Sequence, residues 1–524
     1  METAPQFRES DSSEVEDRLQ PAIVAFLSNP ANYPHMAGSV SQIGTHAAII
    51  FLAGSKAYKL KRSVKLPYLD FSTVEKRRDA LKRELEINSQ TAPGLYLSVI
   101  PITHAPDGAG FELGGNGKPA DWVLTMRRFE QDALFDSIAC RGKLERAHAI
   151  ELAHTIERFH RQAPRMLSAG FAQHVEKVVA DLSSALCSES AMARGLDAAS
   201  YIERLRKELE ARLPLMVSRE REGFVRRCHG DLHLKNIVLW EGKPRLFDAI
   251  EFDDSLAAID VMYDLAFLLM DLWHRGLRHE ANSILNHYLQ RAAMSELIGL
   301  ALLPLFLSLR AAIRSMTGLH ALAHPGTDAQ VREIEGYAQL ADSLLSSPRP
   351  SLVAIGGISG TGKSAVAREA APLIGAVPGA LHLRTDVERK VMQGVPLDRP
   401  LPLSAYIPEL RDEVYRRVFK KAEIALDSGH SVVVDAVFPD EAHRAMFCEL
   451  AHRTNAAFWG FWLQADASII RQRIAARPAG ASDADIAVAE TQMRTVKPPE
   501  DWIKIDASGE RDVAASAVMR KLLG

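Results

Sequence analysis

The chain has 524 residues, too many for one ordinary core, so two or three domains are expected. With 47% hydrophobic and 25% charged residues it reads as globular, which excludes a disordered or fibrous chain. Lys and Arg total 63 against 66 Asp and Glu, so the whole-chain basic field of a nucleic-acid binder is absent at a net charge of −3.

Cys140, Cys187, Cys228 and Cys448 lie far apart with no C-x-x-C pair, which argues against a zinc site and for reduced thiols in the cytoplasm. The start, METAPQFRESDSSEVEDR, is polar and acidic, with no apolar stretch of signal-peptide type. The most apolar run, Leu297 to Leu307, is short and contains Pro304. About 20 apolar residues are needed to cross a bilayer, so a buried helix is expected there and no membrane partner.

Residues 1–34 read as an N-terminal extension and 35–345 as the first domain. In it, Ala47 to Leu52 and Ala57 to Arg62 alternate around a turn at Ala53–Lys56, which predicts a hairpin. Ser72 followed by Glu75 is a capping box opening a charged helix through Arg83, Glu84 and Ile87, and Pro93-Gly94 stops it. Strands are expected at Tyr96–Ile102 and Trp122–Phe129, around a glycine-rich segment at 108–118. Leu144 to Glu222 is mostly helical, Phe224 to Phe252 is β-rich, and helical periodicity resumes from Val261 to Leu345. A small β lobe followed by a larger α lobe is the α+β reading.

Ser346-Ser347-Pro348-Arg349-Pro350 is a linker, since its prolines lack backbone donors. From 351 to 524, strands at Leu352–Ile355, Ser431–Asp435 and Ala457–Trp462 alternate with helices. That is the α/β pattern of a parallel sheet.

Gly357-Ile358-Ser359-Gly360-Thr361-Gly362-Lys363-Ser364 fits G-x-x-x-x-G-K-S between a strand and a helix. Backbone N–H groups of Gly357, Ser359, Gly360, Thr361 and Gly362 can face the phosphates of ATP. Lys363 neutralises the β- and γ-phosphates, and the Ser364 hydroxyl coordinates Mg2+. Asp386 suits a base for an acceptor hydroxyl, with Arg389 as an anion clamp, and equally suits a helix cap. Asp435 ends its strand where open α/β sheets bind ligands, as a Mg2+ holder or a turn residue. Arg473 and Arg477 share a helix face, as lid arginines over triphosphate do, or as solvated charges. Residues 351–524 thus resemble small P-loop kinases and zeta-toxin-like ATPases, by the P-loop, the Asp386-x-x-Arg389 pair and a basic helix before Ser482.

His229-Gly230-Asp231-Leu232-His233-Leu234-Lys235-Asn236 places an Asp and an Asn on one loop before a hydrophobic strand, with Asp248 ending the next. A hairpin would bring Asp231, Asn236 and Asp248 to one cleft. This string resembles the aminoglycoside phosphotransferase and choline kinase family, a branch of the protein-kinase fold. The resemblance implies that Asp231 orients or deprotonates an acceptor hydroxyl, while Asn236 and Asp248 hold Mg2+. It also implies a small-lobe lysine and a helix glutamate: Lys59 in Ala57-Tyr58-Lys59, or Lys61 on the same face, with Glu84, or Glu86. The glycine-rich loop of the family is reduced to Gln42-Ile43-Gly44-Thr45-His46. Asp260 and Asp264 resemble residues that brace the catalytic loop.

The whole chain is similar to bacterial fusion proteins described as bifunctional aminoglycoside phosphotransferase/ATP-binding protein. The implied architecture is two domains, a kinase-like bilobal fold followed by a P-loop NTPase. The implied activity is ATP- and Mg2+-dependent phosphoryl transfer to a hydroxyl of a small molecule, with a second ATP site at the P-loop. Two other readings stay open: a regulatory ATPase whose kinase-like domain binds without turnover, and a nucleic-acid end kinase. No nucleic acid is expected as a partner under the first.

Overall fold

Alternating apolar residues set the first sheet of the computed structural model, which describes residues 10–34, 38–45, 47–66, 69–106, 108, 110–188, 197–320, 327–476 and 482–523. The chain divides into two units: Met1–Leu144 with Gln162–Ala169 and Arg226–Ile259, and Glu145–Arg161 with Gly170–Val225 and Asp260–Gly524.

In the first unit six antiparallel strands lie in the order Val40–Gly44, Ala48–Ala53, Lys56–Lys61, Pro119–Arg127, Tyr96–His104, Phe111–Leu113. The hairpin expected at 47–62 is there, with Phe51 opposite Tyr58. Side chains alternate across a strand. Tyr58 and Leu60 therefore join Phe51, Ile102 and Val123 in one core layer, which Ile23, Leu27 and Tyr33 complete. The stretch read as an extension so contributes the helix Ser10–Ser28 to this core. Ala57 faces the opposite layer, with Leu81, Tyr96 and Leu124.

The helix Val74–Thr91 starts one residue later than a capping box at Ser72 requires. Thr73 is the cap, its hydroxyl accepting from Lys76 N at 3.3 Å, while the Ser72 hydroxyl donates to Asp70 Oδ1 at 2.6 Å. With Thr73 as N-cap, Glu75 falls at the second helical position instead of the third, so the reciprocal bond is lost. The glycine-rich segment at 108–118 holds the short edge strand Phe111–Leu113.

In the second unit, helices Arg146–Gln162, Phe171–Ser188, Ala198–Arg221, Val261–His274, Arg278–Tyr288, Leu303–His320 and Asp328–Leu344 precede the P-loop segment. A continuous helical run, Met294–Leu319, is 26 residues long and apolar enough by length and composition to cross a membrane. This exceeds the short run expected from sequence, because Pro304 stands at the start of the Leu303–His320 helix, where proline is tolerated. Of its most apolar stretch, 78% is buried inside the protein. Its hydroxyls are satisfied by neighbours: Ser308 donates to Ala341 O at 2.7 Å and Ser315 to Ile334 O at 2.9 Å.

The five-stranded sheet is parallel, in the order Leu381–Arg384, Val432–Asp435, Ser351–Gly356, Ala457–Gln464, Ile503–Asp506. The proline segment at 346–350 marks where the sequence pattern changes, but packing continues across it. The helix Arg278–Tyr288 runs beside the edge strand Leu381–Arg384. Asn282 and Asn286 donate to Ala380 O at 3.0 and 3.2 Å, and Asn286 Oδ1 accepts from His382 N at 2.6 Å. Two amides thereby pair backbone groups that an edge strand would leave open.

Candidate functional site

In the first unit the strands Ile237–Trp240 and Lys243–Leu246 form a hairpin with Ile237 opposite Leu246. Its turn, Glu241-Gly242, has φ of 52° and 73°, the left-handed pair that a two-residue hairpin needs. The hairpin returns the chain so that Phe247 N donates to Asn236 O at 3.0 Å. His229 bonds Phe247 O through Nε2 at 2.9 Å, and Ile250 N donates to His229 O at 3.0 Å. The loop carrying Asp231 and the strand end carrying Asp248 are thus tied together, with His229 as a brace.

Asn236 Nδ2 donates to Asp231 O and Asp231 Oδ2, both at 2.9 Å. His233 Nδ1 accepts from Lys235 N at 3.2 Å, and its Nε2 lies 3.3 Å from Asp231 Oδ2. Asp248 has φ 60°, a strained conformation for a residue with a β-carbon. It is held there by buried partners: its N–H donates to Tyr96 Oη, and that of Ala249 to Asn88 Oδ1, each at 3.0 Å.

Lys59 Nζ lies 2.6 Å from Glu84 Oε1 and 2.5 Å from Asp248 Oδ1. Lys61 Nζ lies 2.7 Å from Glu84 Oε2 and 2.5 Å from Glu251 Oε1. Both lysines therefore pair with Glu84, which is fully buried, while Glu86 is exposed. Burial alone would lower the Lys59 pKa, but the charges of Asp248 and Glu84 outweigh it and hold Lys59 well above the ordinary value. For Asp248 burial pushes upward, and the charge and hydrogen bond of Lys59 win, leaving the carboxyl depressed. Asp248 keeps 43% of its side chain open to solvent. Hard oxygen donors from Asn236 and an ionised, accessible Asp248 fit Mg2+.

The short glycine turn is a strand here: Gln42 to Gly44 pairs with Ile49 to Phe51, and Thr45 Oγ1 accepts from Ala48 N at 2.9 Å. Asp260 pairs with Arg219 Nε at 2.7 Å and Asp264 with His160 Nε2 at 3.0 Å.

In the second unit the P-loop joins the strand Ser351–Gly356 to the helix Lys363–Ala370. Gly357, Gly360 and Gly362 have φ of 141°, 90° and 94°. A Cβ at Gly357 would lie 2.7 Å from Leu463 O, and one at Gly360 would lie 2.8 Å from Ile470 Cγ2. Only glycine allows this loop. Ser359 N donates to Gln492 Oε1 at 2.7 Å, Thr361 Oγ1 to Ile358 O at 2.9 Å, and Lys363 Nζ to Ile358 O at 3.0 Å.

Asp435 is buried, 3.4 Å from Arg384 Nε and 3.6 Å from His382 Nε2. Burial would raise its pKa, yet His382, Arg384 and Lys363 hold it below the ordinary carboxylate range. Asp386 opens its helix, half-exposed, 3.9 Å from Arg384 Nη2. Arg389 donates to Ala405 O at 2.8 Å and stacks on Tyr406. Arg473 donates to Ala507 O at 2.7 Å, Gly509 O at 2.6 Å and Thr361 O at 3.4 Å, so its guanidinium holds backbone at the P-loop. Arg477 lies outside the described residues. Sequence reasoning missed Tyr96, Asn88, Glu251 and Gln492. Glu251 had a signal in its position three residues after Asp248, whereas the other three carry none.

Residues 139–300 match the model of the phosphotransferase enzyme family and residues 352–499 that of an AAA domain. Uncharacterized proteins of Mycobacterium tuberculosis (Rv2004c) and Mycobacterium bovis (Mb2027c) are each 30% identical over 478 residues, 89% of this chain and 92% of theirs. A choline/ethanolamine kinase family protein from Mesorhizobium loti is similar over 62% of this chain and 96% of its own, at 14% identity and TM-score 0.38. The Mycobacterium tuberculosis APS kinase CysC is similar over 34% of this chain and 99% of its own, at 22% identity and TM-score 0.26.

Proposed function

Since the chain belongs to the family that fuses a phosphotransferase-type kinase-like domain to a P-loop kinase domain, we propose that it transfers phosphoryl groups from ATP to a small-molecule hydroxyl. The observation that carries this reading is the gathering of Lys59, Glu84, Asp231, Asn236 and Asp248 by a sheet, a helix and a hairpin of one unit.

In this reading Lys59, oriented by Glu84, binds the phosphates, and Asn236 and Asp248 hold Mg2+. ATP with Mg2+ supplies an activated phosphoryl group whose charge is partly neutralised. Asp231, its Oδ2 fixed by Asn236 and His233, orients the acceptor hydroxyl and takes its proton at the carboxylate. Phosphoryl transfer asks mainly for position and charge, so these groups suffice.

The P-loop half is proposed as a second ATP site. There the loop N–H groups and Lys363 would cradle phosphate, Ser364 and Asp435 would serve Mg2+, Arg473 would hold the loop in shape, and Asp386 would face an acceptor. A cytoplasmic location belongs to the same proposal and rests on the wide spacing of the four cysteines, with no C-x-x-C pair among them.

The test is ATP-dependent product formation across a panel of small alcohols, by mass spectrometry. Asp231→Asn is expected to cut product by about a thousandfold or more while Lys363→Ala leaves that product in place. Equal product from wild type and Asp231→Asn would instead favour the regulatory ATPase, a reading that draws on the single glycine at Gly44.

A further inference from the structure

A cavity of about 280 Å3 opens inside the second unit, where the helix Arg278–Tyr288 lies along the edge strand Leu381–Arg384. One wall is Asn286 and His287. The other is Ser364 and Arg368, from the helix that follows the P-loop, with His382 and Arg384 from the strand. Arg146, first residue of the helix Arg146–Gln162, stands at the exposed rim. Residues on both sides of the 346–350 segment therefore build one chamber.

Its electrostatics are uneven. Three guanidinium groups, on Arg146, Arg368 and Arg384, reach the chamber from three separate elements. Burial first, and then the charges of Arg368 and Arg384, lower the pKa of Arg146, so these groups lie within each other's field. Of the histidines that line the chamber, His287 is neutral, because burial pushes it down to about 4. Glu388 on the inner wall is already matched twice, by Lys421 Nζ and Arg417 Nε at 2.7 Å each. Glu369, 3.6 Å from Arg368 Nε, answers one of the three arginines, and Asp435 faces Arg384 at 3.4 Å. Much of the remaining wall is apolar, including Leu297, Val387 and Val418. Guanidinium forks match phosphate oxygens, and their mutual repulsion falls when a dianion sits among them.

We propose that this chamber binds a phosphorylated small organic molecule, its phosphate among Arg146, Arg368 and Arg384 and its carbon body against the Val387–Val418 wall. The site is distinct from the P-loop cradle, although Ser364 borders both. The carbon body fits the apolar wall, and the phosphate fits the place where Arg146, Arg368 and Arg384 converge, with Glu280 and Glu369 as the neighbouring carboxylates of the lining. Asn286 is engaged by the strand backbone, so the helix that forms one wall is fixed in place before any ligand arrives.

The test is calorimetric titration of the full chain carrying Lys363→Ala, which removes phosphate binding at the P-loop from the signal. The probes are glucose 6-phosphate, glycerol 3-phosphate, inorganic phosphate and citrate. At least one of the two esters is expected to saturate a single site, more tightly than inorganic phosphate. Arg146→Ala is expected to weaken it about tenfold or more, and Arg146→Lys by less. Since Arg146 is at the surface, its loss leaves the core intact. As a second readout, the ester should slow amide exchange in 283–290 and 381–384. Citrate binding alone overturns the phosphate assignment, and inorganic phosphate binding as tightly as the esters overturns the organic body. Silence of all four probes, or an affinity unchanged in Arg146→Ala, overturns the site itself.

Discussion

Glu84 holds one ammonium group on each carboxylate oxygen, Lys59 at 2.6 Å and Lys61 at 2.7 Å. Strand alternation placed both lysines on one face, which sequence could read. That a single buried glutamate would take both depended on the helix phase, which it could not. Glu84→Gln keeps the shape but leaves two buried cations short of a partner. It should lower stability by about 3–5 kcal/mol in urea denaturation and abolish product at the kinase-like site. His430, 2% exposed, makes a separate pH statement. Burial lowers its pKa to about 4, so the unfolded chain binds a proton between about pH 4 and 6.5 that the folded chain refuses. Its stabilisation is complete above the unfolded value and is lost as pH falls toward the folded one. His430→Asn should flatten the pH dependence of stability in that window by up to about 3 kcal/mol.

At the level of elements, the P-loop was legible because its glycines are forced, and the structure gives the reason in Leu463 and Ile470. Gly360→Ala puts a Cβ 2.8 Å from Ile470 at φ 90°. It should cost about 1–3 kcal/mol of stability and weaken a fluorescent ATP analogue at this loop at least tenfold, by titration with Mg2+. The strands Phe111–Leu113 and Ile503–Asp506 were not legible, being three and four residues long with a charged residue inside each. The cap at Thr73 shows a different limit. Two adjacent hydroxyls, Ser72 and Thr73, both suit a cap, and only the neighbouring Asp70, which engages Ser72, decides between them. Likewise the motif at 229–236 announced its hairpin, but nothing in it announced the strained Asp248 or the Tyr96 and Asn88 bonds that keep it so.

Over the whole molecule, the change of pattern at 346–350 was plain in the sequence, whereas packing across it was not. The partners are two asparagines in a helix with no motif of its own, meeting a strand about a hundred residues later. Asn282→Ala with Asn286→Ala removes their bonds to Ala380 and His382. The pair should lower the stability of the P-loop half by about 2–4 kcal/mol in all, read as a fall in its urea midpoint by Trp502 fluorescence. Kept apart from that helix, the outermost ribbon of the parallel sheet would present bare amide and carbonyl rungs to its surroundings. A P-loop fragment made on its own should therefore gather into oligomers through that flank, rung against rung, more readily than the intact chain.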